Sequence, residues 1–284
     1  MRHTSAIVRS VAELRAQVAA WRGANQRIAL VPTMGALHEG HLSLVRLGRE
    51  RADRVVTSLF VNPTQFAPNE DFDAYPRNEA GDAALLGAEG CDLIFAPSVE
   101  AMYAPGHATT VTVAGVSEPM DGAARPHHFA GVATVVTKLL IQCLPDVAIF
   151  GEKDFQQLQV IRRLTLDLDL PVEILGAPIR RDADGLALSS RNAYLTAAER
   201  PIAGRLNVIL AEAAAALRGG AAVAQVEAQG MAAVKAAGFQ SVDYFDVRDP
   251  DTLAALPRGP LTGPARVFVA ARLGRTRLID NMAA

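Results

Sequence analysis

Two histidines three residues apart, His38 and His41, flank Gly40 in the stretch Ile28–Leu42, which reads IALVPTMGALHEGHL. The apolar run from Ile28 to Val31 breaks at Pro32, passes Gly35 and re-emerges as Leu42, Leu44, Val45 and Leu47. This is the pattern of a strand, a tight loop and a helix start. The first N–H groups of a helix lack partners and carry the positive end of its dipole, so His38, Gly40 and His41 would face an anion. Gly40 would let a phosphate approach the backbone, and two imidazoles on one helix face can both donate to one triphosphate. The same pair also suits zinc or a solvent-facing helix start, although no cysteine cluster or H-E-x-x-H pattern accompanies it.

Three further stretches carry side chains of the right chemistry. Gln65, in Asn62-Pro63-Thr64-Gln65-Phe66, has an amide that both donates and accepts, in a turn where a glutamine is commonly just solvated. In Phe150 to Gln157, Gly151 permits close backbone approach and Lys153 can put a point charge on a phosphate. Asp154 can cap the following helix, accept ribose hydroxyls or simply pair with Lys153 in solvent. Leu188-Ser189-Ser190-Arg191-Asn192 places two hydroxyls and a guanidinium in succession, able to grip phosphate oxygens or, more plainly, to cap a helix.

The elements that must position these residues alternate. Ser10 to Arg22 predicts a capped packing helix, and Val55 to Val61 a buried parallel strand. Asn62 to Arg77, broken by prolines and rich in acids, reads as a functional loop. Asn78 to Glu89 reads as a helix, Cys91 to Phe95 as a short strand, and Thr109 to Val113 as another. Gly131 to Leu144 is helical, Val147 to Phe150 a strand, Asp154 to Leu166 a helix and Val172 to Leu175 a strand. Strand alternating with helix predicts an α/β fold, a Rossmann-like doubly wound parallel sheet with its ligand crevice at the carboxyl ends of the strands. The grammar then changes. Helices over Ala197 to Leu217 and Ala221 to Ala237, with extended segments Val242 to Val247, Arg266 to Ala271 and Arg277 to Ile279, predict a smaller C-terminal α+β domain. A boundary near Pro178 to Leu188 divides the chain into 1–180 and 181–284, the second unit serving as a lid.

Composition narrows the classes. The 284 residues carry 28 Lys and Arg against 30 Asp and Glu, so no basic field marks a nucleic-acid binder. No apolar run approaches the ~20 residues of a membrane span, and the N-terminus lacks a signal-peptide core. Cys91 and Cys143, both in apolar runs, fit buried thiols of a reducing cytoplasm.

The H-x-G-H stretch resembles the signature of nucleotidyltransferases and class I aminoacyl-tRNA synthetases. Taken together, Pro32 to His41, Val61 to Phe66, Arg125 to Val132 (RPHHFAGV), Gly151 to Gln157 and Leu188 to Asn192 resemble, in order, the pantothenate synthetase family of AMP-forming pantoate–β-alanine ligases. The motifs cover about residues 28–195, and the C-terminal third matches in pattern more than in residues. The resemblance implies that pantoate attacks the α-phosphorus of ATP to form a pantoyl adenylate, which β-alanine then aminolyses. By the same resemblance His38 and His41 contact the phosphates, Met34 lines the site between nucleotide and pantoate, and Lys153 bridges phosphates and carboxylate. Gln65 and Gln157 hold pantoate, and Gly151 and Asp154 hold the ribose. Ser189, Ser190 and Arg191 form a phosphate clamp, and Arg125 and His128 lie beside the pantoate pocket. Mg2+ rides on the phosphates without a dedicated protein site, Asp82 serving at most as a water-mediated contact. Gly81, where the family often carries an acidic cluster, is expected to loosen the start of its helix. A homodimer formed through the N-terminal domain is also implied. Two other readings stand beside this one: transfer of AMP to a phosphate-bearing substrate, and nucleotide binding without chemistry.

Overall fold

The computed structural model describes residues 5–67 and 72–284. Part of the expected functional loop Asn62 to Arg77, residues 68–71, lies outside the described residues. The chain enters through β1 (Ala6–Val8) and turns at Ser10 into α1 (Val11–Gly23). There the Ser10 hydroxyl accepts the Glu13 N–H and the Glu13 carboxylate accepts the Ser10 N–H, a reciprocal cap. Next come β2 (Ile28–Thr33), α2 (Glu39–Arg51), β3 (Arg54–Leu59), α3 (Glu79–Ala88), β4 (Leu93–Phe95) and the single-turn helices α4 (Val99–Met102) and α5 (Asp121–Ala124). Then follow α6 (His128–Cys143), β5 (Val147–Gly151), α7 (Phe155–Asp167) and β6 (Glu173–Ala177). The C-terminal part comprises α8 (Glu199–Arg218), α9 (Val223–Ala236), β7 (Ser241–Arg248), β8 (Arg266–Leu273) and β9 (Thr276–Ala283).

Six strands form one parallel sheet in the order β1-β4-β3-β2-β5-β6. Both of its faces are covered. Leu14, Val18, Leu139, Leu158 and Ile161 of α1, α6 and α7 pack one side, and Val45 and Leu86 of α2 and α3 the other. Burial on both faces explains why β2 and β5 read as unbroken apolar runs. The sequence order reverses between β2 and β5, which pair at Ala29–Val147 and Leu30–Ala148. A crevice therefore opens beyond Thr33 and Gly151, where neighbouring crossovers leave in opposite directions.

The second sheet is antiparallel, β7-β8-β9, and closes a separate core with Leu206, Leu210, Val226 and Val234 of α8 and α9. Its other face docks on the first body. Phe268 of β8 and the nearby Leu253 join the core beneath α7, and full burial of each contributes on the order of 2 kcal/mol.

Several boundaries move. Thr109 to Val113 is not a strand: the segment is irregular, and the Val111 N–H donates to the Thr134 hydroxyl of α6, so its alternation serves packing without a ladder. β3 stops at Leu59 and α6 begins three residues early, behind His127 in the left-handed conformation at φ 73°. Thr196 and Glu199 exchange reciprocal hydrogen bonds in the turn that leads into α8. Gly81 does not loosen α3. Asn78 accepts the Gly81 N–H, and a β-carbon on Gly81 would lie 2.4 Å from the Asn78 amide, so the glycine lets the cap close. Cys91 and Cys143 are free and buried.

Candidate active site

A cavity of about 610 Å³ opens at the β2/β5 reversal and extends beneath the small sheet. Its wall includes Met34, His38 and His41 from the β2–α2 loop, Gln65 after β3, Arg125 and His128 at the start of α6, Gly151, Lys153, Asp154 and Gln157 after β5, and Ser189, Ser190 and Arg191. The sheet topology alone brings these distant stretches together.

The two histidines lock one another. His38 is the N-cap of α2, and its Nδ1 accepts the Gly40 N–H at 3.1 Å, while His41 Nδ1 accepts the His38 N–H at 3.4 Å. A nitrogen that accepts bears no proton, so each neutral ring carries its hydrogen on Nε2. Burial first, then His38 and Lys153, pushes the His41 pKa down to about 3, and burial followed by Lys153 lowers that of His38. Both rings are therefore neutral donors at neutral pH. Gly40 acts differently from the expectation. Its N–H is spent on His38, and a β-carbon there would lie 2.8 Å from His38 Cε1, so the glycine makes room for the imidazole.

Asp82 is buried in α3, and its two oxygens accept the N–H groups of Ala36 at 3.0 Å and Leu37 at 2.8 Å. It holds the loop in front of His38, each carboxylate oxygen already accepting a backbone N–H.

Gln65 is oriented from behind. Buried Asn62 donates to Gln65 Oε1 at 3.1 Å, which turns the Gln65 NH2 toward Met34 Sδ at 3.1 Å and the cavity. Asn62 Oδ1 is in turn engaged by the Tyr103 hydroxyl at 2.8 Å. Arg125 and His128 act on the backbone of the same residue: His128 Nδ1 donates to the Gln65 carbonyl at 2.8 Å, and Arg125 meets His128 Nε2 at 3.1 Å. Sequence reading missed Asn62 and Tyr103, because nothing in their spacing shows that they point at a glutamine.

Lys153 lies in a 3-10 turn, Glu152–Asp154, and its Nζ is 3.3 Å from Asp154 Oδ1. Asp154 makes no side-chain cap, so ion pairing describes it better than capping. Ser189 does cap locally, accepting the Arg191 N–H at 3.3 Å ahead of the 3-10 turn Ser190–Tyr194. Ser190 reaches across to the Ala36 carbonyl at 3.1 Å and ties that turn to the histidine loop.

The family model for pantoate–beta-alanine ligase matches residues 6–283. The chain belongs to the pantoate–β-alanine ligase family. A pantothenate synthetase of Caulobacter vibrioides is 60% identical over 278 residues, 98% of each chain. The crystal structure of pantothenate synthetase from Thermus thermophilus superimposes with a TM-score of 0.91 at 46% identity, covering 98% of both chains. That of the Francisella tularensis ligase, complexed with β-γ ATP and β-alanine, gives 0.82 at 31% identity over 98% of this chain and 97% of that one. The ligase family's match spans both sheets, so it includes the C-terminal third, where the sequence motifs are sparse.

Proposed function

We propose that this chain condenses pantoate with β-alanine at the expense of ATP, through a pantoyl adenylate, releasing pyrophosphate and then AMP. The observation that carries the reading is one cavity in which two neutral Nε2–H donors and Lys153 face a paired set of glutamines. The nucleophiles belong to the substrates, so the protein has to align them and stabilise charge.

In the first step a pantoate carboxylate oxygen attacks the α-phosphorus and the bond to pyrophosphate breaks. His38 and His41 donate to phosphate oxygens as charge develops, and Lys153 spans phosphate and carboxylate. Gln65 presents its NH2 to pantoate, with Gln157 opposite and Met34 between pantoate and nucleotide. Arg125 and His128 serve by holding the Gln65 backbone. Gly151 and Asp154 receive the ribose, while Ser189, Ser190 and Arg191 clamp the phosphates. In the second step the β-alanine amine attacks the acyl carbon, AMP leaves, and the amine gives up a proton. The Francisella relative's complex with β-γ ATP and β-alanine supports ATP and β-alanine as substrates here.

Mg2+ fits as a companion of the triphosphate. Among the cavity carboxylates, Asp121 is held by Arg277, Asp280 by Arg181 and Asp154 by Lys153, so phosphate oxygens and water would supply most ligands. When bound it would neutralise charge on the departing pyrophosphate.

The division into 1–180 and 181–284 accompanies this reading, the second unit covering the site as a lid. Contact between the Tyr194 hydroxyl and the Ala74 carbonyl at 3.3 Å supports closure over bound nucleotide by two segments, Asn69 to Asp82 and Asp184 to Asn192. Limited proteolysis should show both segments protected by ATP plus pantoate; equal cleavage with and without ligands would count against it. The reading includes a homodimer formed through the N-terminal domain and a cytoplasmic location; no described helix is long and apolar enough to cross a membrane, and Leu144, Leu166 and Leu168 of that domain are exposed. Sedimentation and cell fractionation test these two points.

Activity is tested by following pantothenate and AMP by mass spectrometry, with pantoate replaced in turn by other hydroxy acids and phosphate esters. Equal or better turnover of a phosphate ester would favour transfer of AMP to phosphate instead.

A further inference from the structure

The small sheet meets the backbone of the Lys153 turn through Asn281. Asn281 of β9 is buried, and its Nδ2 donates to the Glu152 carbonyl at 2.9 Å and to the Lys153 carbonyl at 3.0 Å. Its Oδ1 accepts from Arg266 of the neighbouring strand β8. Two carbonyls on one side and a guanidinium on the other leave only one orientation for the amide, and both its hydrogens are used. Asn281 borders the cavity yet has no free N–H to offer a substrate.

Its partners explain what it does offer. Arg266 stacks over the Phe155 ring at 3.9 Å, and its guanidinium lies 3.6 Å from Glu152, so the residues on both sides of Lys153 and Asp154 are held by the same strand. Phe268, two residues along β8 on the same face, packs on Phe155 at 5.8 Å. Lys153 itself belongs to a three-residue 3-10 turn, a piece of backbone too short to hold its own position. The turn is thus fixed by an element more than a hundred residues away in sequence.

We propose that Asn281 is a positioning residue for adenylation, acting through the backbone of Lys153. The proposal rests on the phosphate role assigned to Lys153. A displacement of about 1 Å at a reacting group costs on the order of a hundredfold in rate. Replacing the Asn281 donor should therefore slow chemistry by ten- to a hundredfold while leaving KM for ATP and pantoate within about threefold, because Gln65, His38 and His41 are held by other contacts.

The test is a double-mutant cycle on the full-length protein, read by single-turnover adenylation. Asn281→Leu removes the donor, and Asn281→Asp keeps the shape but sets an acceptor against two carbonyls. Each is made alone and with Lys153→Met. The expected result is a ten- to hundredfold loss in either single Asn281 variant and a change below threefold when Lys153 is already Met. Equal losses in both backgrounds would show a general structural effect and overturn the proposal. So would near-native rates for Asn281→Asp. If Lys153→Met alone keeps near-native turnover, the role of Lys153 fails and this proposal fails with it. Should Asn281→Leu not fold, the Asp variant is read by the same criteria.

Discussion

Acidification should weaken the fold through His41 by an amount its surroundings set. Its folded pKa of about 3 lies below the ordinary 6.5, because the ring is buried beside His38 and Lys153. Between those values the unfolded chain binds a proton that the native ring refuses. The contribution of His41 is therefore complete above about pH 6.5 and is lost as pH falls toward about 3. A fully developed difference costs ~1.4 kcal/mol per pH unit, a ceiling of about 2.7 kcal/mol between pH 6.5 and 4.5. The ring is half-buried and borders the cavity, where water relieves part of the penalty, so a loss of about 2 kcal/mol is expected. Urea unfolding of the native chain and of His41→Gln, which stays neutral, should be compared at pH 6.5, 5.5 and 4.5. The native protein should lose about 2 kcal/mol more than the variant over that range. Parallel losses would mean that His41 is not held neutral, and the Nε2–H donor assignment would lose its basis.

Three further outcomes follow from the same geometry. Gly40→Ala places a β-carbon 2.8 Å from the His38 ring and should cut adenylation at least tenfold with little change in melting temperature, since the ring can swing into the cavity; an unchanged single-turnover rate contradicts this. His41→Ala removes a donor from developing phosphate charge, worth on the order of 3 kcal/mol, so single-turnover adenylation should fall more than a hundredfold. Gln65→Ala should raise the pantoate requirement about tenfold or more while calorimetric ATP affinity stays nearly intact; the reverse pattern would exchange the two subsites.

What could be read from the chain and what could not divide along physical lines. β2, β5 and their helices were legible because strands buried on both faces write continuous apolar runs, and the site motifs follow directly from their carboxyl ends. Thr109 to Val113 misled because alternation records a half-buried segment whether or not a neighbouring strand exists. β1 was invisible at three residues, and β9 was recognised only over Arg277 to Ile279, near its start. The structural partners of Gly40, Asp82 and Ser189 were not legible, each for one reason: those partners are the backbone of their own loop or of the histidine loop, and spacing cannot distinguish a residue that binds a ligand from one that shapes the binder. Asn281 is the extreme case, since its partners are carbonyls more than a hundred positions away.

The central claim, activation of a carboxylate by adenylation before any amine is involved, is tested most directly by exchange of labelled pyrophosphate into ATP. Pantoate and Mg2+ together should support exchange without β-alanine, and omission of pantoate should abolish it. Exchange that requires β-alanine, or that proceeds without pantoate, would contradict the account.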